Sequence, residues 1–78
     1  MDPAAASRIR QLWCEVLDRD SVELTDNFFV LGGRSLTAMM VAAKVQETCQ
    51  LSVSIADVFR EPVLRDFIAL AQARANEP

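Results

Sequence analysis

The sequence predicts an all-α fold: a small bundle of four helices, with a long structured loop between the first and second and a short third helix. Apolar residues recur at helical spacing in three separate segments, the pattern of helices that bury one side. Only two glycines occur in the chain, side by side, so the pattern is not that of a turn-rich or low-complexity polymer. With 51% apolar residues, including four Phe and one Trp, the chain has enough material for a hydrophobic core. At 78 residues it reads as one domain, 1–78, near the lower end of what folds on hydrophobic burial alone.

The first helix is expected over 4–17. Pro3 suits an early helical position, and Ile9, Leu12, Trp13 and Val16 recur at i, i+3, i+4 and i+7, with Leu17 widening the stripe. Trp13 lies inside that stripe and is read as core. Arg8, Arg10, Glu15 and Asp18 lie outside it and are read as a solvated face. The connection over 19–34 is long for so small a domain, and Val22, Leu24, Phe28, Phe29 and Leu31 make it too apolar for a free linker. It should lie over the bundle and close one end. Asp26 is expected to accept local backbone hydrogen bonds in an Asx-type turn that sets the approach of Phe28 and Phe29.

The second helix is expected over about 35–48, and it carries two apolar stripes. At about 100° per residue, Ala38, Val41, Ala42, Val45 and Cys49 gather on one side, and Leu36, Met39, Met40 and Ala43 on the other. Thr37, Lys44 and Thr48 separate them along one flank. Three other helices of this size cover only one face well, so the Leu36–Met39–Met40–Ala43 stripe is expected to be a docking surface for several partners. Leu51 to Val53 lead into a short third helix, where Ser54 and Asp57 form a capping-box-like start and Val58 and Phe59 supply core contacts before Arg60-Glu61-Pro62 breaks it. The last helix is expected over about 63–75, with Leu64, Phe67, Ile68, Ala71 and Ala75 at helical spacing, and Asn76-Glu77-Pro78 ending it.

Composition excludes several functions. The net charge of −3 and pI near 4.7, with Lys and Arg scattered, argue against a nucleic-acid surface. Cys14 and Cys49 lack the spacing of a zinc site or a disulfide framework and are read as small packing groups. The acids Asp18, Asp20, Glu23 and Asp26 do not make a calcium loop: counted from Asp18, the positions that need Gly and Glu hold Glu23 and Phe29. The start of the chain lacks the basic segment and apolar core of a secretory signal, and no apolar run is long enough to cross a bilayer. A cytoplasmic protein without membrane contact is expected.

The residues that point to chemistry run from Asp26 to Leu36: an aromatic pair, an aliphatic pair, Gly32-Gly33, Arg34, then Ser35 where the second helix begins. Gly32 and Gly33 are expected to free the space around whatever Ser35 carries. The plainest role for such a serine is a helix N-cap. A catalytic serine needs an activating base, and the chain has no histidine. The nucleophile elbow wants Gly where Thr37 sits, and a Walker loop wants Lys where Arg34 sits. What remains is modification of Ser35 by another enzyme. The helix end would favour an attached phosphodiester by only about 0.3–1 kcal/mol, so a covalent bond must hold the group; regulatory phosphorylation would suit the same electrostatics.

The order Asp26, Phe28-Phe29, Gly32-Gly33, Ser35-Leu36 resembles the carrier-protein family, specifically the peptidyl carrier domains of nonribosomal peptide synthetases. The resemblance implies a four-helix bundle of the acyl-carrier type over essentially the whole chain. It also implies covalent attachment of 4′-phosphopantetheine from coenzyme A at Ser35, flanked by Gly32, Gly33, Arg34 and Leu36. Arg34 departs from the pattern: peptidyl carriers often have His there and fatty-acid or polyketide carriers Asp, a difference that bears on partner choice. The implied function is non-catalytic carriage of aminoacyl or peptidyl thioesters, with a phosphopantetheinyl transferase and adenylation, condensation, thioesterase or tailoring domains as partners of a monomer. An acyl carrier for polyketide or fatty-acid chemistry, and an unmodified helical interaction module, are the alternatives. The sequence names no cargo.

Overall fold

Four helices account for the regular structure of the computed structural model, which describes residues 3–75: α1 (Pro3–Leu17), α2 (Ser35–Cys49), α3 (Ile55–Arg60) and α4 (Leu64–Ala75). α1 packs against α2 and α4, and α3 bridges α2 and α4. The expected all-α bundle is therefore what forms. Asn76-Glu77-Pro78, expected to end the last helix, lie outside the described residues.

Trp13 is fully buried and packs between Phe28 of the loop, edge-on at 5.1 Å, and Phe67 of α4 at 5.9 Å. One helix, the loop and the last helix thus meet on a single indole. Its Nε1 finds no hydrogen-bond partner among the described residues, a cost of about 1–3 kcal/mol that the surrounding packing must offset. Around it Ile9, Leu12, Val41, Val45, Val58 and Leu64 belong to one continuous core cluster. Cys14 and Cys49 are both partly buried against that cluster, as small packing groups should be.

The ends of the first two helices are left-handed single residues rather than glycines. Asp18 takes φ 55° and Gln50 φ 56°, and the Arg19 N–H returns to the Cys14 carbonyl at 2.9 Å. Beyond α1 the loop is sewn to α4. The Leu64 and Arg65 N–H groups, two donors that the first turn of a helix leaves without an internal partner, go to the carbonyls of Asp26 (3.0 Å) and Leu24 (2.9 Å). The Phe28 N–H donates to the Pro62 carbonyl at 2.8 Å, within an isolated antiparallel bridge between Asn27 and Val63. That bridge is why the last helix starts one residue later than its apolar spacing suggests.

Several side chains differ from their sequence reading. Arg10 is not merely solvated: its Nε donates to the Val22 carbonyl and its Nη2 lies 3.4 Å from Glu23, so α1 holds the loop from below. Leu24 is 43% exposed, because its backbone carbonyl, not its side chain, makes the loop's contact with α4. Ala75 is exposed at the end of α4. Phe59 is 50% exposed rather than core: in the short α3 only Asp57 and Val58 are fully buried, with Ile55 packed partly against the core. Asp26 accepts from the Glu23 N–H behind it (2.8 Å), while the Asx turn ahead belongs to Asn27, whose Oδ1 accepts from the Phe29 and Val30 N–H groups at 2.9 and 3.2 Å.

Candidate functional site

The approach to Ser35 is a series of tight turns. After the Asn27 turn, the Leu31 N–H donates to the Asn27 carbonyl, the Gly32 N–H to Phe29 and the Gly33 N–H to Phe28, at 3.0 to 3.1 Å. The two glycines then have different roles. Gly32 takes φ +101°, a backbone region open at no cost only to glycine, and nothing lies within 4 Å of where its Cβ would be. Gly33 has no side chain because the Phe28 ring occupies that space, and a Cβ there would overlap the ring and approach the Phe28 carbonyl oxygen at 2.7 Å. Gly33 therefore makes room inward, for the core, and not outward around Ser35 as the sequence suggested.

Arg34 is the N-cap of α2, extended at φ −135° and ψ 178°, and Ser35 is the first residue inside the helix. Ser35 is thus one residue past the position where a serine would be consumed in capping. Thr37 reaches back to the cap residue instead: its Oγ1 accepts from the Arg34 N–H at 2.7 Å and donates to the Arg34 carbonyl at 2.9 Å. Ser35 is exposed, and among the described residues its hydroxyl has no hydrogen-bond partner. The first turn of α2 holds no acidic residue, so no carboxylate opposes a phosphodiester at the helix end. An exposed hydroxyl at a positive helix terminus, one residue after an arginine, fits a covalently attached 4′-phosphopantetheine.

The remaining expected site residues fall as the two-stripe reading requires. Ala38, Val41, Ala42 and Val45 are buried. Leu36 is 66%, Met39 53% and Met40 42% exposed, and Ala43 is exposed with them. Gly32, Gly33, Arg34, Ser35 and Leu36 form one continuous stretch at the top of that outward face.

Three features of the site region escaped the sequence reading. Thr37 could have been found from a hydroxyl three residues after the cap, had the cap been placed at Arg34. Phe59 stacks flat on Phe29 at 5.0 Å and an interplanar angle of 15°, adding a half-exposed aromatic surface that couples α3 to the loop. Asp57 is buried and tied to Arg74, Oδ1 to Nη2 at 2.8 Å and Oδ2 to Nη1 at 3.1 Å, while it also accepts from the Ser54 N–H at 2.9 Å. Burial alone would raise the Asp57 carboxyl; the Ser54 N–H and the Arg74 guanidinium outweigh it and hold it below its ordinary 3.8. No short-range pattern pairs residues 17 apart in sequence, so this ion pair was not legible.

Comparison with known proteins places the arrangement. Residues 7–71 match the family described as phosphopantetheine attachment site. The nonribosomal peptide synthetase rstn8 of Aspergillus nomiae is 44% identical over 70 residues, covering 87% of this chain. The chain spans only 5% of that synthetase and still less of others such as gloA of Glarea lozoyensis. Among solved structures, BlmI, a type-II acyl-carrier-protein from Streptomyces verticillus involved in bleomycin biosynthesis, superposes with a TM-score of 0.87 at 27% identity, covering 94% of this chain and 88% of BlmI. A structure of the phosphopantetheine transferase Sfp with coenzyme A and a peptidyl carrier protein matches with a TM-score of 0.80 at 34% identity, over 99% of this chain and 96% of that one.

Proposed function

The chain belongs to the phosphopantetheine attachment-site family, and on that premise we propose that Ser35 is the residue that takes the 4′-phosphopantetheine group. Residues 1–78 then act as one carrier domain, a monomer that delivers aminoacyl or peptidyl cargo between domains of a nonribosomal peptide synthetase. The observation that carries this reading is the exposed hydroxyl of Ser35 one residue inside α2, outside the Thr37–Arg34 bonds that define the start of the helix. The attached group supplies a thiol that holds cargo as a thioester; the protein supplies position and recognition.

Each element of the chain has a part in that delivery. The turns through Asn27, Gly32 and Gly33 fix the Phe28 anchor and so the height of Ser35 above the core. Arg34 stands at the rim, where a charge acts on partner association and its salt dependence. Leu36, Met39, Met40 and Ala43 present an adaptable apolar surface to successive partners, with the transferase first and adenylation, condensation, thioesterase or tailoring domains after it. The likeness to a peptidyl carrier solved with Sfp and coenzyme A supports the choice of first partner. The proposed setting is the cytoplasm; among the described residues no helix is long and apolar enough to cross a membrane.

Incubation with coenzyme A and a broad-specificity phosphopantetheinyl transferase tests the reading. One phosphopantetheinyl addition, mapped by peptide mass spectrometry to Ser35, is expected. No addition, or an addition at another residue, would overturn it.

A further inference from the structure

We propose that Thr37 is a positioning residue for arm attachment, acting on Ser35 by clamping the peptide groups on either side of Arg34. The inference rests on Ser35 being the attachment point and names what holds it ready. The Thr37 hydroxyl accepts the Arg34 N–H at 2.7 Å and gives its own proton to the Arg34 carbonyl at 2.9 Å. That carbonyl also receives the first helical N–H, from Ala38, at 2.8 Å. Arg34 is therefore held at both of its backbone polar groups in the extended conformation that precedes the helix. Ser35 is the next residue, and its Cα direction follows from the Arg34 carbonyl that the clamp fixes.

On the loop side the restraint stops one residue short of Arg34. There the chain is anchored at Gly33, whose N–H donates to the Phe28 carbonyl at 3.0 Å, and between that anchor and Ser35 the restraints on Arg34 among the described residues come from the helix side. The clamp also separates the two hydroxyls of the first turn. Thr37 has its proton and one lone pair committed, whereas Ser35 has neither, so Ser35 is the more available hydroxyl of the two. Nothing in the Thr37 clamp involves Leu36, Met39 or Met40, so docking and positioning are separable by experiment.

The experiment measures transfer from coenzyme A by a purified broad-specificity transferase, with the carrier concentration varied, for wild type, Thr37→Val and Thr37→Ser. Thr37→Val keeps the branched shape and loses the hydroxyl; Thr37→Ser keeps the hydroxyl. Thr37→Val is expected to lower kcat about tenfold with KM within about twofold, as misorientation of a reacting group does, and Thr37→Ser to recover most of the loss. Amide hydrogen exchange at Arg34 should speed up in Thr37→Val and stay slow in Thr37→Ser. An unchanged kcat in Thr37→Val overturns the inference, as does a loss confined to KM, a failure of Thr37→Ser to recover, or a Thr37→Val chain that no longer melts cooperatively. If wild type itself accepts no group, the proposed function falls; if wild type accepts it and Thr37→Val matches it, only the positioning role falls.

Discussion

Two helices of this domain carry a serine at their start, and the two hydroxyls are held differently. Ser54 is the N-cap of α3: its N–H and hydroxyl both point to the Asp57 carboxylate, at 2.9 and 3.3 Å, and Arg74 grips that carboxylate from α4. Ser35 stands one residue further in, at the first helical position of α2, where the Thr37 hydroxyl bonds both backbone groups of the N-cap Arg34. A shift of one residue relative to the helix end separates a hydroxyl spent on structure from one left uncommitted. Residue type alone does not tell the two apart.

The largest consequence of this contrast falls on the inward face of α2. Val41 lies fully buried on that face, so Val41→Glu should unfold the domain in a thermal melt, since an unpaired buried charge costs several kcal/mol, on the order of 3 or more. At α3 the hold is polar. Asp57→Asn should cost roughly 2–3 kcal/mol in urea denaturation at neutral pH, less than a fully buried pair because Arg74 still reaches solvent. Because the folded Asp57 carboxyl lies below its ordinary 3.8, its contribution is present above that value and disappears as pH falls through the folded value. The stability gap between wild type and Asp57→Asn should therefore narrow below about pH 4; a gap that widens in acid would assign the loss to something else.

Smaller effects follow on the exposed side. Ser54→Ala should cost about 1 kcal/mol, the usual loss for a cap, and leave attachment of the group untouched. Met39→Glu should stay within about 0.5 kcal/mol of wild type in the same melt, as surface changes do, yet slow loading by an adenylation domain. If Met39→Glu melts as badly as Val41→Glu, the outward stripe is core and no docking face exists.

What the sequence disclosed was whatever depends on spacing within one segment. The stripes of α1, α2 and α4, the double-sided pattern of α2 and the Ser54–Asp57 box are all periodicities of three or four residues, and all are present. What stayed hidden depends on segments meeting. Asp57 looked like a capping residue alone until Arg74 arrived from α4; Phe59 looked like core until it stacked, half-exposed, on Phe29 of the loop; Leu24 looked like an anchor until its carbonyl took the Arg65 N–H. At the site, the motif gave the position of Ser35, but the inward role of Gly33 required the Phe28 ring, five residues earlier, to fold back onto it.

The most direct measurement compares the two serines in one experiment: thermal melts and intact mass after transferase treatment with coenzyme A, for Ser35→Ala and Ser54→Ala. Ser35→Ala is expected to melt as wild type and take no phosphopantetheinyl group, while Ser54→Ala melts lower and takes one in full. A Ser35→Ala chain that still gains the group, or that loses stability as Ser54→Ala does, would contradict the assignment of α2's first serine to chemistry rather than structure.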